Sequence, residues 1–394
     1  MTSPSPLSRP GSAEPPRITT APQTAVSATP PGSRRGGVAL WIVAVLLVPL
    51  LALLVRYFTA FLGTAASFIG LVLAVIPFVI VWFAVRYIDR WEPEPRRLLV
   101  FAVAWGAIAS VAIALGVDLV ITLAAGPLPG AVSSVIQAPL VEEVAKGLGV
   151  LLIFAFARRA FDGPVDGIVY GALIGAGFAL TENVQYFAIS YLEGGPAQVA
   201  STFFLRAVLS PFAHVMFTSL TGFAFGLAAR QGLRAGAALR YGVPGLLGAI
   251  VLHALWNGSA TFFDFFEVYA ALQVPLFVLF ILGILALRRE ESRLTRARLG
   301  EYAAAGWFTP QEVDMLATGP GRRSALAWSR TLPGDRAAVM KGFIADATAL
   351  AAARQRSLSG RDPNAPASER YLLERTTAAR AALLRPLREP ERGS

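Results

Sequence analysis

The chain has 394 residues, of which 55% are hydrophobic and 15% charged, with a formal net charge of +10. Soluble globular proteins carry about 25% charged residues, so this composition excludes an ordinary soluble domain and indicates a polytopic membrane protein. The absence of cysteine excludes disulfides, thiolate zinc sites and cysteine nucleophiles. Cytoplasmic loops of a membrane protein explain the basic surplus, so no nucleic-acid partner is expected.

The chain divides into three predicted parts. Residues 1–37 are rich in Pro, Ser, Thr and Gly without apolar periodicity, which predicts a disordered cytoplasmic tail. Residues 38–287 are predicted to form an all-α bundle of membrane helices. Residues 288–394 are predicted to form a mostly helical cytoplasmic tail, in which "TPQEVDML" from Thr309 has the pattern of a helix-capping box. This tail contains no recognisable catalytic constellation.

The apolar segments of the middle part predict about eight transmembrane helices, because each is long enough to cross some 30 Å of hydrocarbon. They are predicted near 38–56, 66–86, 98–124, 132–156, 165–191, 203–229, 241–262 and 267–287. Arginines concentrate in alternate loops, for example Arg96 and Arg97 in the second and Arg158 and Arg159 in the fourth. By the positive-inside rule, this alternation predicts a multi-pass membrane protein with both termini in the cytoplasm. The arginine-rich composition with only two lysines suggests a bacterium, so the expected location is the bacterial plasma membrane.

The fourth predicted span contains the unusual sequence "APLVEEVAKGLGVLLIF", with Glu142, Glu143 and Lys146 inside a membrane helix. Each such charge costs roughly 2.5–3.5 kcal/mol at a helix centre, so ionisable residues within spans are functional candidates. The later spans add Glu182 in "GFALTENVQY", His214 in "SPFAHVMFTSLTG", and His253 with Asn257 in "LHALWN".

These polar residues are predicted to lie at one depth, because a helix rise of about 1.5 Å per residue places each roughly 18–25 Å from the cytoplasmic end of its span. One polar residue in a span is usually interhelical glue, but a set at one level favours a site. Lys146 lies four residues after Glu142 and is expected to neutralise it partly, leaving Glu143 free to point elsewhere. Arg206 and Asp118 fall nearer the outer interface, where snorkelling explains them.

Two carboxylates and two imidazoles are the groups needed to activate water. In one route Glu143, His214 and His253 hold Zn²⁺ with an open position for water, and another glutamate is the general base. In the other, a buried carboxylate takes the proton directly while His and Asn stabilise the oxyanion. Both routes remain open. A proton-coupled transporter would use the same residues and is the alternative function. A scaffold whose polar residues only lock helices together is a third.

Five stretches in order resemble the PrsW family of bacterial intramembrane proteases and, more distantly, the CAAX-prenyl-protease-like membrane family. They are "DRWEPEPRR", "APLVEEVAKGL", "GFALTENVQY", "PFAHVMFTSLTG" and "LHALWN", between about residues 85 and 259. The resemblance implies site-one-type cleavage of membrane-anchored proteins, typically anti-sigma factors. It also implies essential roles for Glu142, Glu143, His214 and His253, and by position for Glu182 and Asn257.

The resemblance leaves the cofactor open. The family is commonly called metalloprotease, which implies Zn²⁺, whereas a metal-free glutamate mechanism has been proposed for its relatives. In the related membrane family the second motif ends in His, while here it ends in Glu182. Metal-ligand roles therefore do not transfer directly from that family.

Overall fold

The structure is a computed structural model that describes residues 34–384, with side chains from residue 40 onward. The described part is helical and contains no β-strand, as the composition predicts. The predicted disorder of the amino-terminal tail lies outside the described residues as far as residue 33, and Arg34 to Gly37 belong to the first helix instead. The chain separates into a unit from Ser33 to Leu285 and a second unit that begins at Ala286.

The first unit consists of long helices, four of whose segments are π-helical. The α-helices are α1 (Arg34–Phe61), α2 (Thr64–Ile88), α3 (Arg96–Ala104), α4 (Val111–Ala125), α5 (Gly130–Val132), α6 (Ala138–Phe156), α7 (Pro164–Phe203), α8 (Ala213–Arg230), α9 (Ala235–Phe262), α10 (Phe265–Val268) and α11 (Val274–Ala304). The π-helical turns are Trp105–Ser110, Ser133–Gln137, Phe204–Leu209 and Tyr269–Gln273. Such turns are rare and often lie at functional sites.

Six stretches of the described residues are long and apolar enough to cross a membrane: Leu40–Phe61, Thr64–Ile88, Arg96–Ala125, Pro164–Arg230, Ala235–Phe262 and Phe265–Ala304. The stretch from Pro164 to Arg230 has 67 residues and covers two of the predicted spans. Large apolar side chains such as Phe83, at 67% exposure, and Leu123, at 78%, face outward. A helical membrane bundle therefore fits, while the count of eight spans stays a prediction.

Helices α7 and α8 pack backbone to backbone along a row of glycines. A Cβ atom on Gly167 would lie 2.0 Å from the carbonyl oxygen of Gly222, and one on Gly222 would lie 1.9 Å from that of Gly167. Farther along α7, a Cβ on Gly175 would lie 2.4 Å from the carbonyl oxygen of His214. Small residues allow this close approach of membrane helices. The contact fixes the start of α8, and with it His214, against α7.

The second unit has its own apolar core. It contains the residues of α11 from Ala286 onward, followed by α12 (Pro310–Leu316), α13 (Gly319–Thr331), α14 (Ala337–Ser359) and α15 (Ala365–Leu384). Its fully buried residues include Leu299, Leu316, Met340, Phe343 and Leu350. The capping box predicted at Thr309 is present: the Glu312 N–H donates to Thr309 Oγ1 at 3.2 Å, and the Thr309 N–H donates to Glu312 Oε2 at 2.8 Å.

Candidate active site

The buried centre of the first unit is the Lys146 ammonium, which lies between two consecutive glutamates of α6. Its Nζ lies 2.6 Å from Glu143 Oε1 and 3.3 Å from Glu142 Oε2. The same Nζ lies 4.0 Å from the centre of the Phe178 ring, and the side chain is fully buried. Lys146 was expected to neutralise Glu142 partly and to leave Glu143 free, but it contacts both glutamates, because residues three apart on a helix also share a face. Glu143 makes the closer contact.

Glu143 is enclosed by groups from three helices. The Thr218 hydroxyl of α8 donates to its Oε2 at 3.0 Å, and His253 Nδ1 of α9 lies 3.1 Å from its Oε1. A carboxylate only accepts hydrogen bonds, so the proton of the His253 ring belongs on Nδ1. His253 Nε2 then carries a lone pair, 3.9 Å from Glu142 Oε2. This pattern matches the outer partner that orients a metal-binding imidazole.

A cavity of about 620 Å³ lies beside these residues. It is lined by Glu142, Glu182, His214 and His253, whereas Glu143 and Lys146 are not among its lining residues. Glu142, His214 and His253 each offer one donor atom, and the three atoms lie within 4.8 Å of one another. The sequence placed Glu143 in the metal-binding set. In the structure Glu142 supplies the carboxylate of that set, and Glu143 faces inward.

One carboxylate and two imidazoles are ligand types that Zn²⁺ commonly binds in proteins. The lone pair on His253 Nε2 also fits a ligand, since its other nitrogen is held by Glu143. His214 differs, because both of its nitrogens have partners: Nδ1 lies 3.2 Å from Lys146 Nζ, and Nε2 lies 2.9 Å from Glu182 Oε2. An ammonium only donates, so Nε2 carries the ring proton. His214 would exchange one of these hydrogen bonds for a metal ion.

Arg206 completes the cavity wall, a role that the sequence did not reveal. Its guanidinium forms an ion pair with Glu182, donates from Nε to Asn183 Oδ1 at 2.5 Å, and lies 3.9 Å from the centre of the Tyr186 ring. Arg206 therefore has specific partners within the bundle, while the snorkelling that the sequence suggested stays a prediction. The predicted span that contains Arg206 has no acidic residue. The sequence could therefore have suggested Glu182, in the preceding span, as the partner of this arginine.

Asn257 has a structural partner at the cavity wall. In the π-helical turn before α6, the Ala138 N–H donates to Ser133 O, and Pro139 has no N–H to offer. The carbonyl of Ser134 is thereby left without its backbone partner, and Asn257 Nδ2 donates to it at 2.7 Å. Asn257 was predicted to hydrogen-bond the ligand or orient His253. Asn257 thus ties α9 to the π-helical turn while it lines the cavity, and its role toward a ligand stays a prediction.

Comparison with known proteins gives one family and several relatives. The sequence profile of the PrsW family intramembrane metalloprotease matches residues 94–283. A protein named Protease PrsW from Geobacillus kaustophilus is 30% identical over 140 residues, which cover 36% of this chain and 58% of that protein. A protein of the same name from Clostridioides difficile is 35% identical over 153 residues, covering 38% of this chain and 62% of its own length.

A third relative, Protease PrsW of Bacillus subtilis, is 37% identical over 79 residues, covering 20% of this chain and 33% of that protein. The chain thus spans about three fifths of the length of the first two curated relatives. No solved structure matches it significantly.

Proposed function

We propose that this protein is an intramembrane endopeptidase that hydrolyses membrane-anchored proteins, and the match of residues 94–283 to the PrsW family profile supports the proposal. One observation carries the proposal: Glu142, His214 and His253 offer donor atoms within 4.8 Å of one another beside a cavity of about 620 Å³. Ionisable side chains in apolar membrane helices cost free energy, so they are expected where a reaction or a binding site requires them. Interhelical glue alone would not need an open cavity.

The two consecutive glutamates have different roles in this proposal. Glu142 lines the cavity and meets the water that attacks the peptide bond. Glu143, fully buried among Lys146, Thr218 and His253, holds the His253 ring in place. It is therefore a positioning residue, because it acts through the imidazole and not on the substrate.

The residues that would hold a metal ion are Glu142, His214 and His253, with Zn²⁺ as the fitting ion. When bound, the ion would polarise the peptide carbonyl and make its bound water a stronger nucleophile. Glu182 is then the cavity-lining carboxylate left to accept the water proton. Without a metal, Glu142 itself would take that proton.

The substrate class follows from the family resemblance and the position of the site. Membrane-anchored proteins of the anti-sigma-factor kind are proposed substrates, since the Glu and His residues lie within apolar helices and only a membrane-embedded segment reaches them. The charge pattern of the loops supports a topology with both termini in the cytoplasm, and we propose that the cut lies toward the outer half of the bilayer. No observation favours transport over hydrolysis.

The experiment uses purified full-length protein reconstituted with a fluorescent single-span reporter. Wild type is expected to cleave the reporter, to contain about one zinc per chain, and to lose activity with a chelator. Glu142→Gln and His253→Ala should abolish cleavage, because the water and its activating groups are lost. Glu193→Gln is the matched control, since this exposed carboxylate lies outside the cavity.

Cleavage at the wild-type rate by Glu142→Gln or His253→Ala would refute the proposed site. Full activity of metal-free protein in the presence of chelator would refute the zinc assignment alone. In that case Glu142 would remain as the base of the metal-free route.

A further inference from the structure

A second groove reaches the active-site carboxylates from the side of the helix bundle. It has a volume of about 320 Å³ and lies between α4, α6 and α7. Its walls include Ala114 and Leu115 of α4, Gln137 and Val141 before and within α6, and Gln185 and Ile189 of α7. Most of these side chains are only partly buried. The groove is therefore a recess in the lateral surface of the bundle.

The groove and the active-site cavity share five lining residues. Glu142 and Glu182 line both, as do Ser133, Ala138 and Tyr186. The cavity also includes residues next to helix ends, such as Leu128 and Pro211. The reactive groups are thus approached along two directions, one past the helix ends and one between helices.

A buried amide in the groove lacks one of its hydrogen bonds. Gln137 Nε2 donates to Asp118 Oδ1 of α4 at 3.2 Å, which fixes the orientation of the amide because a carboxylate only accepts. Gln137 Oε1 is buried and has no hydrogen-bond partner within the described part of the chain. An unpaired polar atom away from water is costly and is usually matched by a ligand or a water.

We propose that this groove binds an extended segment of the membrane-embedded substrate, and that Gln137 Oε1 accepts a backbone N–H of that segment. The inference rests on the proposed endopeptidase function. A peptide bond must leave its helix before it is cut, and unwinding frees backbone N–H groups that need acceptors inside the membrane. Gln137 offers such an acceptor next to Glu142, while α4 supplies apolar contacts for the side chains.

The chemistry of the groove also limits its occupant. Glu142 and Glu182 are paired with Lys146 and Arg206, whereas Asp118 is hydrogen-bonded to the neutral Gln137 amide. An acidic substrate side chain beside Asp118 would therefore be repelled. Small or apolar side chains match the walls formed by Ala114 and Ile189. The partner is therefore an apolar, non-acidic segment that unwinds readily.

The test exploits the absence of cysteine from the chain. Ala114→Cys, in the groove, and Ala124→Cys, exposed on the same helix outside it, are each made in the Glu142→Gln background so that substrate is not consumed. The probe is a span of about 20 apolar residues with one cysteine near an end, co-reconstituted in liposomes and joined by mild oxidation. Ala114→Cys should give at least a tenfold higher yield of cross-linked product than Ala124→Cys. Equal yields would overturn the proposal.

A second variant tests Gln137 on its own. In otherwise wild-type protein, Gln137→Leu should lower kcat/KM for the cysteine-free span about tenfold, the value of one hydrogen bond, with unchanged zinc content. Gln198→Leu, an exposed position of α7 outside the groove, should leave it unchanged. An unaltered kcat/KM in Gln137→Leu would remove Gln137 from the proposal.

The two proposals fail in different ways. If wild type does not cleave the span but Ala114→Cys still captures it selectively, the endopeptidase proposal fails and the groove remains a docking site. If wild type cleaves the span and capture is not selective, the groove proposal fails and the endopeptidase proposal stands.

Discussion

Two adjacent glutamates illustrate how far single residues can be interpreted. The sequence identified Glu142 and Glu143 as candidates because both charges lie in an apolar helix. It could not distinguish them, since the rotation of α6 is set by Thr218 and His253, which are 75 and 110 residues from Glu143. Only their packing shows that Glu143 is enclosed while Glu142 lines the cavity.

Glu143→Gln tests this division of roles. The neutral amide keeps the shape but no longer attracts Lys146 or fixes the proton on His253 Nδ1, so the imidazole loses its preferred tautomer. We expect metal affinity or activity to fall about 10- to 100-fold, as for other outer partners of metal ligands. Zinc titration and kcat on the purified variant measure both. Complete loss of cleavage with unchanged zinc affinity would instead assign Glu143 a direct chemical role.

The ion pair of Arg206 with Glu182 is a second feature of single residues that the sequence did not predict. The position of Arg206 near one end of an apolar stretch predicted a side chain that reaches toward the interface. Its partner Glu182 is 24 residues away on a helix with a kink at Gly195, where φ is +63°. The sequence predicted a break between the spans 165–191 and 203–229, but it did not show which residues of the two spans face each other. The pairing therefore became visible only in the fold.

At the scale of elements, the apolar stretches predicted most of the helices, because length and composition alone decide whether a segment can cross a membrane. The π-helical turns were not predicted. A π-helical turn depends on donors that hydrogen-bond the carbonyls left without a backbone partner. For the Ser134 carbonyl this donor is Asn257, which is 123 residues away. Pro139 was the local signal, because a residue without an N–H disturbs the hydrogen bonds of the preceding turn.

The contact between α7 and α8 predicts the effect of a single methyl group. Gly175→Ala would place Cβ 2.4 Å from the carbonyl oxygen of His214, so α8 must shift at its first turn. We expect kcat to fall at least tenfold, because His214 moves relative to Glu182, and thermal stability to decrease. Gly116→Ala, on an open face of α4, is the matched control and should change neither quantity. Wild-type kcat for Gly175→Ala would contradict the rigid contact.

The loop between α2 and α3 contains a pH-sensitive carboxyl group. Burial raises the pKa of Asp89 from 3.8 to about 6, although the Glu94 N–H and the Arg86 guanidinium oppose the shift. Burial likewise raises the pKa of Glu94, which accepts a hydrogen bond from Tyr170 at 2.6 Å. A group that binds its proton more tightly when folded stabilises the fold at low pH. The contribution of Asp89 is complete below pH 3.8 and is lost as the pH rises through about 6.

Hydrogen exchange of residues 89–95 tests this expectation. After correction for intrinsic rates, protection should be greater at about pH 5 than at about pH 7.5. Asp89→Asn keeps an oxygen for the Glu94 N–H but does not titrate, so it should reduce the difference between the two conditions. Protection that rises with pH in wild type would contradict the direction of the shift.

At the scale of the whole molecule, the change from apolar to charged composition after Leu287 predicted a separate carboxy-terminal part. In the structure a second compact unit begins at Ala286. The sequence did not reveal how that part is stabilised. Glu312, fully buried, accepts from Arg380 Nε at 2.5 Å. This partner lies 68 residues later, beyond the reach of local pattern analysis.

Glu312→Ala is expected to destabilise the second unit by about 3–5 kcal/mol, because it leaves the Arg380 charge without its carboxylate and removes the capping contact at Thr309. Limited proteolysis between α12 and α15 should be faster, while zinc content stays unchanged. Asp314→Ala is the control: its ion pair with Arg296 is exposed and contributes at most about 1 kcal/mol. Equal protease resistance of the two variants would contradict this ranking.

The π-helical turn Ser133–Gln137 has a consequence for any change in chain length nearby. Deleting one of its residues would allow an ordinary α-helical turn, and the segment before it would rotate by about 100° about the axis while α6 kept its place. Both glutamates would stay where they are, but the carbonyl held by Asn257 would turn away from α9. A deletion of one residue, too small to shorten a membrane span, would thus leave the glutamates in place. It would misalign the groove along which we propose that the substrate reaches them.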